Sequence, residues 1–236
     1  MFGIFTGVVI NAILVIAGTA VGLVFNTNRM KTIGERIFQA FAIFVACLGV
    51  TGTVGMDQPI LVLGCLIVGI AIGEIIDIDD KFTRLGNWLQ SKFSKGKGSD
   101  NRFANGFVSA SLLFCIGSMT FMGALESGLQ NQHTIYITKG VLDAISAITL
   151  TMGNGIGVAF SAIVVLVYQG LLTLCASFLA PVLSAEMVAV SSQIGSLFLV
   201  GIAINMLEIK KLKVANFLPA MFMPFFWQAI LLIFQK

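Results

Sequence analysis

Apolar residues run along this chain in long blocks parted by short polar stretches. A helix needs about 20 apolar residues to cross the hydrocarbon core of a bilayer. The pattern therefore predicts spans at residues 2–25, 37–54, 60–76, 156–179, 185–207 and 214–234. Between the third and fourth of these lie two less regular apolar segments, 106–125 and 140–152. The first is interrupted by Gly117, Ser118, Thr120 and Gly123 and runs straight into Glu126. The second is short, carries Asp143 and stops at Gly153, Asn154 and Gly155. Short or glycine-interrupted hydrophobic segments are the sequence mark of a transporter's binding site. The expected fold is an all-α polytopic membrane protein of about eight transmembrane helices.

Four regions follow from the same pattern. Residues 1–78 form a first three-helix unit, 79–102 a cytoplasmic amphipathic linker, 103–155 a central interrupted helix pair, and 156–236 a second three-helix unit. Both units read as a long span, an amphipathic entry into a second span, and a third. They would be related as an inverted repeat framing the central pair, as in many secondary transporters. In the linker, Phe82, Leu85, Trp88, Leu89 and Phe93 recur at three- and four-residue steps, which predicts a helix lying in the membrane plane. Its end, SKGKGSDNR at 94–102, reads as a flexible boundary. Gly3 with Gly7, and Gly18 with Gly22, sit four residues apart and let another helix approach closely, from the same chain or in a homodimer. Pro219 and Pro224 predict a kink in the last span.

Composition supports the membrane reading. Hydrophobic residues make up 57% of the chain and charged residues 11%, against about 25% charged in ordinary soluble domains; mean hydropathy is +0.98. The net charge of +3 is spread over short loops, which excludes a nucleic-acid partner and leaves the lipid bilayer. Arg29, Lys31 and Arg36, then Lys81, Arg84, Lys92, Lys95, Lys97 and Arg102, then Lys210, Lys211 and Lys213, fall in three alternate loops. The positive-inside rule puts those loops in the cytoplasm and both termini outside. The chain enters its first apolar run with no basic region or cleavage site, so that segment is expected to stay as an anchor. Cys47, Cys65, Cys115 and Cys175 all lie in apolar segments and are expected to be free, with no disulfide and no metal.

The candidate chemistry is polar side chains inside apolar helices. A carboxylate in hydrocarbon costs about 2.5–3.5 kcal/mol on insertion scales, so Asp143 is a functional candidate by default. Ser146 and Thr149 follow it at three-residue steps and are expected near its face. Thr151 and Asn154 add oxygens at the broken end, and Glu126 a second carboxylate. Ser118 and Thr120 mark an expected unwound crossing point. Asn11 is a polar residue in the first span. Carboxylates among hydroxyl and amide oxygens suit Na⁺, a proton or a cationic solute. A structural account competes: Lys139, four residues before Asp143, could hold it as an ion pair, and Glu126 could be a solvated loop residue. His133 is expected in a solvated outer loop. No hydrolase, P-loop, haem or CxxC signature occurs, so neither an enzyme nor a cofactor is expected beyond a coupling Na⁺ or H⁺.

GSMTFMGALESGL, KGVLDAISAITL, GIGVAFSAI and VYQG, together with the opening run carrying Gly7, Asn11, Val15, Ile16, Gly18, Gly22 and Leu23, resemble the bacterial membrane-protein family catalogued as domain of unknown function number 554. The resemblance covers essentially the whole chain. Ala144 departs from it, standing where the family favours glycine. It implies a protein of the bacterial cytoplasmic (inner or plasma) membrane and carries no activity or site residue with it. The residues themselves favour a secondary transporter or ion-coupled carrier of a small solute or cation. An ion channel, or a non-transporting membrane sensor or assembly protein, are the alternatives.

Overall fold

The computed structural model describes residues 3–25, 31–93 and 102–234. Arg29, Met30, Lys95, Lys97 and nearly all of the 94–102 linker lie outside the described residues, as do the side chains of Lys31 and Phe93. Among the described residues every regular element is helical. A 3₁₀ turn at Gly3–Phe5 leads into α1 (Thr6–Phe25), followed by α2 (Lys31–Thr51) and α3 (Pro59–Ile76). Pro59 sits in the first turn of α3, where its missing N–H leaves nothing unsatisfied. Next come α4 (Ile78–Phe93), α5 (Arg102–Cys115), α6 (Ser118–Gln130) and α7 (Thr134–Asn154). A 3₁₀ turn at Gly155–Phe160 links α7 to α8 (Ser161–Leu174), and α9 (Ala176–Leu179) leads on to α10 (Ala185–Met206). The chain closes through a 3₁₀ helix, Val214–Met221, that contains Pro219, and then α11 (Met223–Phe234).

By length and composition six stretches can cross a membrane, or seven when the bent α5–α6 pair counts as one, against the expected eight or so. The difference lies in Thr134–Leu174, which passes as a single apolar run of 41 residues. Straight, such a run would reach about 60 Å, twice the hydrocarbon thickness. It is not straight. Asn11 of α1 hydrogen-bonds both Asp143 of α7 and Gln169 of α8, which brings those two levels together. At one end Gly123 of α6 lies against Tyr136, and Gly128 lies against Thr173 and Ala176. The chain therefore doubles back at Gly155–Phe160.

Glycine sets how closely these helices approach. Gly7 abuts His133 and Tyr136, Gly18 the Ala144 carbonyl, and Gly22 Ile148 and Thr151, so α1 and α7 run side by side in the same direction. Gly69 and Gly73 of α3 press on Ala220 and Asn216 of the Val214–Met221 helix, and Gly49 of α2 and Gly52 just after it on Ser196 and Val200 of α10. Gly3 meets Asn131. Both glycine pairs of α1 are thus taken up inside the chain, which removes the basis on which they pointed to a homodimer.

Two expectations about the central pair change. The second segment is not short: α7 has 21 residues, because 134–139, read from sequence as loop, is its first turn and a half. Tyr136 is fully buried there, and the Glu126 carboxylate accepts a hydrogen bond from the Ile135 N–H, which starts the helix early. The first segment is broken as expected, at Ile116–Gly117, with a 63° bend between α5 and α6 and Gly117 at φ 112°. Only glycine takes that backbone freely. α4 is amphipathic, with Leu89 buried and Phe82 stacked on Phe107 of α5 at 6.1 Å. Leu85 and Trp88 of the same apolar set stay exposed. Exposed large apolar side chains such as Ile60, Ile75 and Phe234 suit a surface that meets lipid.

The two halves of α3 offer a test of glycine-limited packing. A Cβ on Gly73 collides with the Asn216 carbonyl, whereas one on Gly64 meets nothing within 4 Å. Gly73→Ala should lose about 1–3 kcal/mol to overpacking. Gly64→Ala should hold or gain up to about 1 kcal/mol of helix propensity. Thermal unfolding of the two purified variants, followed by intrinsic fluorescence, reads the contrast.

Candidate functional site

Midway along α7, on the face turned to α1, Lys139 and Asp143 are paired. The Lys139 ammonium donates to Asp143 Oδ2 at 2.5 Å, and the two side chains are only 6% and 10% exposed. Asp143 stands nine residues into a 21-residue helix, about 14 Å from its start. This places it deeper than the sequence implied, since the helix begins earlier than expected. Asn11 Nδ2 donates to the same carboxylate oxygen at 3.2 Å and to Gln169 Oε1 at 3.1 Å. Three helices, α1, α7 and α8, thus meet on one carboxylate and two carboxamides.

A second set of bonds carries the polar core outward. Tyr136, one turn before Lys139, donates to the Thr120 carbonyl of α6 at 3.1 Å, and its hydroxyl lies 3.4 Å from Thr173 Oγ1. Thr173 in turn donates to the Gln169 carbonyl at 2.8 Å. Several buried polar atoms of the bundle have no partner among the described residues: Asn11 Oδ1, Thr120 Oγ1 and Gln169 Nε2 on residues of this core, and Ser111 Oγ and Tyr168 Oη elsewhere on α5 and α8. They come from α1, α5, α6 and α8, on both sides of the α5–α6 break. An unsatisfied polar group in a low-dielectric interior costs about 1–3 kcal/mol, so those on this core mark a place built for more than apolar packing.

Of the sequence candidates, Asp143, Asn11 and Thr120 belong to this core. Ser146 and Thr149 do not. Each three-residue step falls about 60° short of a full turn, so Thr149 stands about 120° round the helix from Asp143. Their hydroxyls bond back to the Leu142 and Ile145 carbonyls of their own helix. Thr151 is buried on the α1 side, beside Gly22, about 12 Å along the axis from Asp143. Asn154 sits at the far end of α7 in a separate cavity, against Gly106. Ser118 opens α6, half-buried at the break. Glu126 lies within α6 rather than in a loop, and its carboxylate accepts the Ile135 N–H at 2.8 Å, capping α7. His133 is the N-cap residue of α7, its Nδ1 3.1 Å from Ser127 Oγ.

Sequence reasoning missed Gln169, Tyr136, Tyr168 and Ser111. Gln169 had a usable signal, a carboxamide inside an apolar helix like Asn11. The others look like ordinary helix residues until their neighbours are known. At the other end of the fold, Asn216 Nδ2 bonds Glu74 at 2.6 Å and Lys213 bridges Asp77 at 3.2 Å. Burial pushes the Asp79 carboxyl up from its usual value, against the pull of the Ala215 N–H and the Lys211 and Lys213 charges.

The central pair is open to a double-variant test. Lys139→Met or Asp143→Leu singly strands one charge in the bundle and should cost about 3–5 kcal/mol. The double variant, apolar on both sides, should recover most of that loss. Thermal denaturation of the three proteins measures it, and additive losses would mean that the two residues do not act as a pair.

The family model described as "Protein of unknown function (DUF554)" matches residues 6–229. The chain is 30% identical over 222 residues to "Uncharacterized membrane protein YdfK" of Bacillus subtilis (strain 168), a match covering 92% of this chain and 93% of that one. It is 28% identical over 218 residues to "Uncharacterized protein YqgA" of Escherichia coli (strain K12), covering 91% and 92% of the two. No solved structure matches. The long apolar helices, the lipid-suited surface and the end-to-end match with a membrane protein lead to one conclusion: this chain is an integral membrane protein and belongs to the DUF554 family.

Proposed function

We propose that the protein is a secondary carrier of a small polar solute, with Asp143 as the proton site that couples the movement. The reading rests on one observation above the rest. A buried Lys139–Asp143 pair is bonded to Asn11, which also bonds Gln169, and both carboxamides keep a partnerless polar atom, Asn11 Oδ1 and Gln169 Nε2, among the described residues. Ionisable groups in membrane helices mark substrate and proton pathways, and broken helices such as α5–α6 frame such sites in transporters. The ion pair changes the chemistry expected from sequence. Lys139 already neutralises Asp143, so a Na⁺ ion would have to compete with an ammonium in place. A proton on Asp143 instead cancels its charge and frees Lys139, which gives the site two states of different charge distribution.

Counting Thr134–Leu174 as two crossings and α5–α6 as one brings the total to eight. Lys81, Lys210, Lys211 and Lys213 then share one side, which the positive-inside rule makes the cytoplasm, and both ends of the chain fall outside. The bacterial relatives favour the bacterial cytoplasmic membrane. No catalytic residue or cofactor enters this reading.

Proteoliposomes loaded with a pH-sensitive dye test it. Addition of small polar solutes under a pH gradient should produce solute-dependent proton flux in the native protein. Asp143→Asn made together with Lys139→Met, so that no buried charge is stranded, should cut that flux at least about 10-fold while leaving the protein folded. Equal flux in the variant would remove Asp143 from coupling. Currents far above carrier turnover would favour a channel.

A further inference from the structure

A second polar site lies at the opposite end of α7. A cavity of about 410 Å³ is walled by α4, α5, the end of α7 and the segment after α10. Asp79 and Asn87 are two turns apart on α4 and present one face of that helix to the cavity, while Phe82 and Leu89 pack towards α5. Asn105 enters from α5 and Asn154 from α7. The side chains of Asn87, Asn105 and Asn154 bond to no described residue. Asn205, by contrast, is committed: it donates to the Leu212 carbonyl at 2.8 Å and accepts from the Leu212 N–H at 2.7 Å. It thereby fixes the segment that brings Glu208 and Lys211 to the rim.

The charges on the wall balance. Asp79 and Glu208 are negative, while Lys210 and Lys211 are positive. Long-range attraction therefore favours neither an anion nor a cation, but a molecule carrying both signs finds a partner for each. The free carboxamides supply donors and acceptors for an uncharged polar tail. The volume lies within the usual range for small-molecule pockets, about 300–1,000 Å³. We propose that this cavity binds a small zwitterion of the amino-acid type. Its ammonium lies towards Asp79 and Glu208, its carboxylate towards Lys211, and its polar tail among Asn87, Asn105 and Asn154. Asn154 is 11 residues beyond Asp143, about 16 Å along α7. The two sites are therefore distinct, and this one holds its ligand whether or not the protein transports it.

Glutamine is the probe. Purified protein in detergent, without added phospholipid, is titrated with glutamine by calorimetry and by thermal shift. N-acetylglutamine (no ammonium), glutaminamide (no carboxylate) and ribitol (no charge) are the comparators. Glutamine should bind and raise the unfolding midpoint, and the comparators should bind at least about 10-fold more weakly. Asn154→Leu and Lys211→Gln, neither of them a core residue, should each weaken glutamine binding at least about 10-fold with an unchanged unfolding midpoint of the free protein. The Lys139→Met/Asp143→Leu protein should bind as the native one does. Comparators that match glutamine, no binding of any probe, or undiminished binding in both single variants would overturn the proposal. Loss of binding in the central double variant would also overturn it, by moving the ligand to the central site. The proton-flux measurement stands or falls separately.

Discussion

A charge buried in a helix bundle within lipid must be compensated, and the centre of this protein is arranged around that requirement. Asp143 meets it with Lys139 one turn away on the same helix and with Asn11 on the neighbouring one. Because the ion pair is local to α7, it places little demand on tertiary geometry. The carboxamides place more. Asn11 reaches Asp143 and Gln169 together only because α1 runs against α7 at glycine distance and α8 returns to the same level. The polar core and the close helix crossings are thus one construction: Gly140 lies against Asn11, where a Cβ would come within 3.0 Å of the Asn11 Cα, and Gly18 lies against Ala144 next to Asp143.

The same economy appears elsewhere. Glycines of α2 and α3 likewise lie against backbone or smaller side chains of α10 and of the Val214–Met221 helix. In a lipid environment apolar burial gives little preference for helix contact over lipid contact, so close packing and interhelical hydrogen bonds carry association. The break at Gly117 belongs to the same scheme. It ends α5 and redirects α6 by 63°, so that Thr120 and Gly123 face Tyr136 rather than lipid.

Buried polar groups and glycine crossings hold this one arrangement of helices together. Lys139 and Asp143 form the ion pair on which the proposed proton coupling rests, and α5 and α6 differ in direction by 63°. The polar cavity beyond Asn154 lies along the same helix. A chain built only for rigidity would replace such a pair with apolar side chains, which pack as well at lower cost.

Much of this was legible in the sequence. Runs of about 20 apolar residues can be satisfied only by helices in lipid, since every backbone group must be bonded within the segment. Glycine and proline punctuation marked the Gly117 break and the start of α3 at Pro59 for equally local reasons. Asp143 and Asn11 announced themselves by being polar in apolar surroundings, and Lys139 by its four-residue spacing. Tertiary structure alone decided the rest. It showed which face of α7 is buried, and so set Ser146 and Thr149 apart from Asp143. It turned Glu126 into a cap for α7, and it brought Gln169 from a distant helix onto Asn11. Those outcomes depend on the direction, rotation and separation of packed helices, quantities that the contact surfaces set together and that no single stretch of residues encodes.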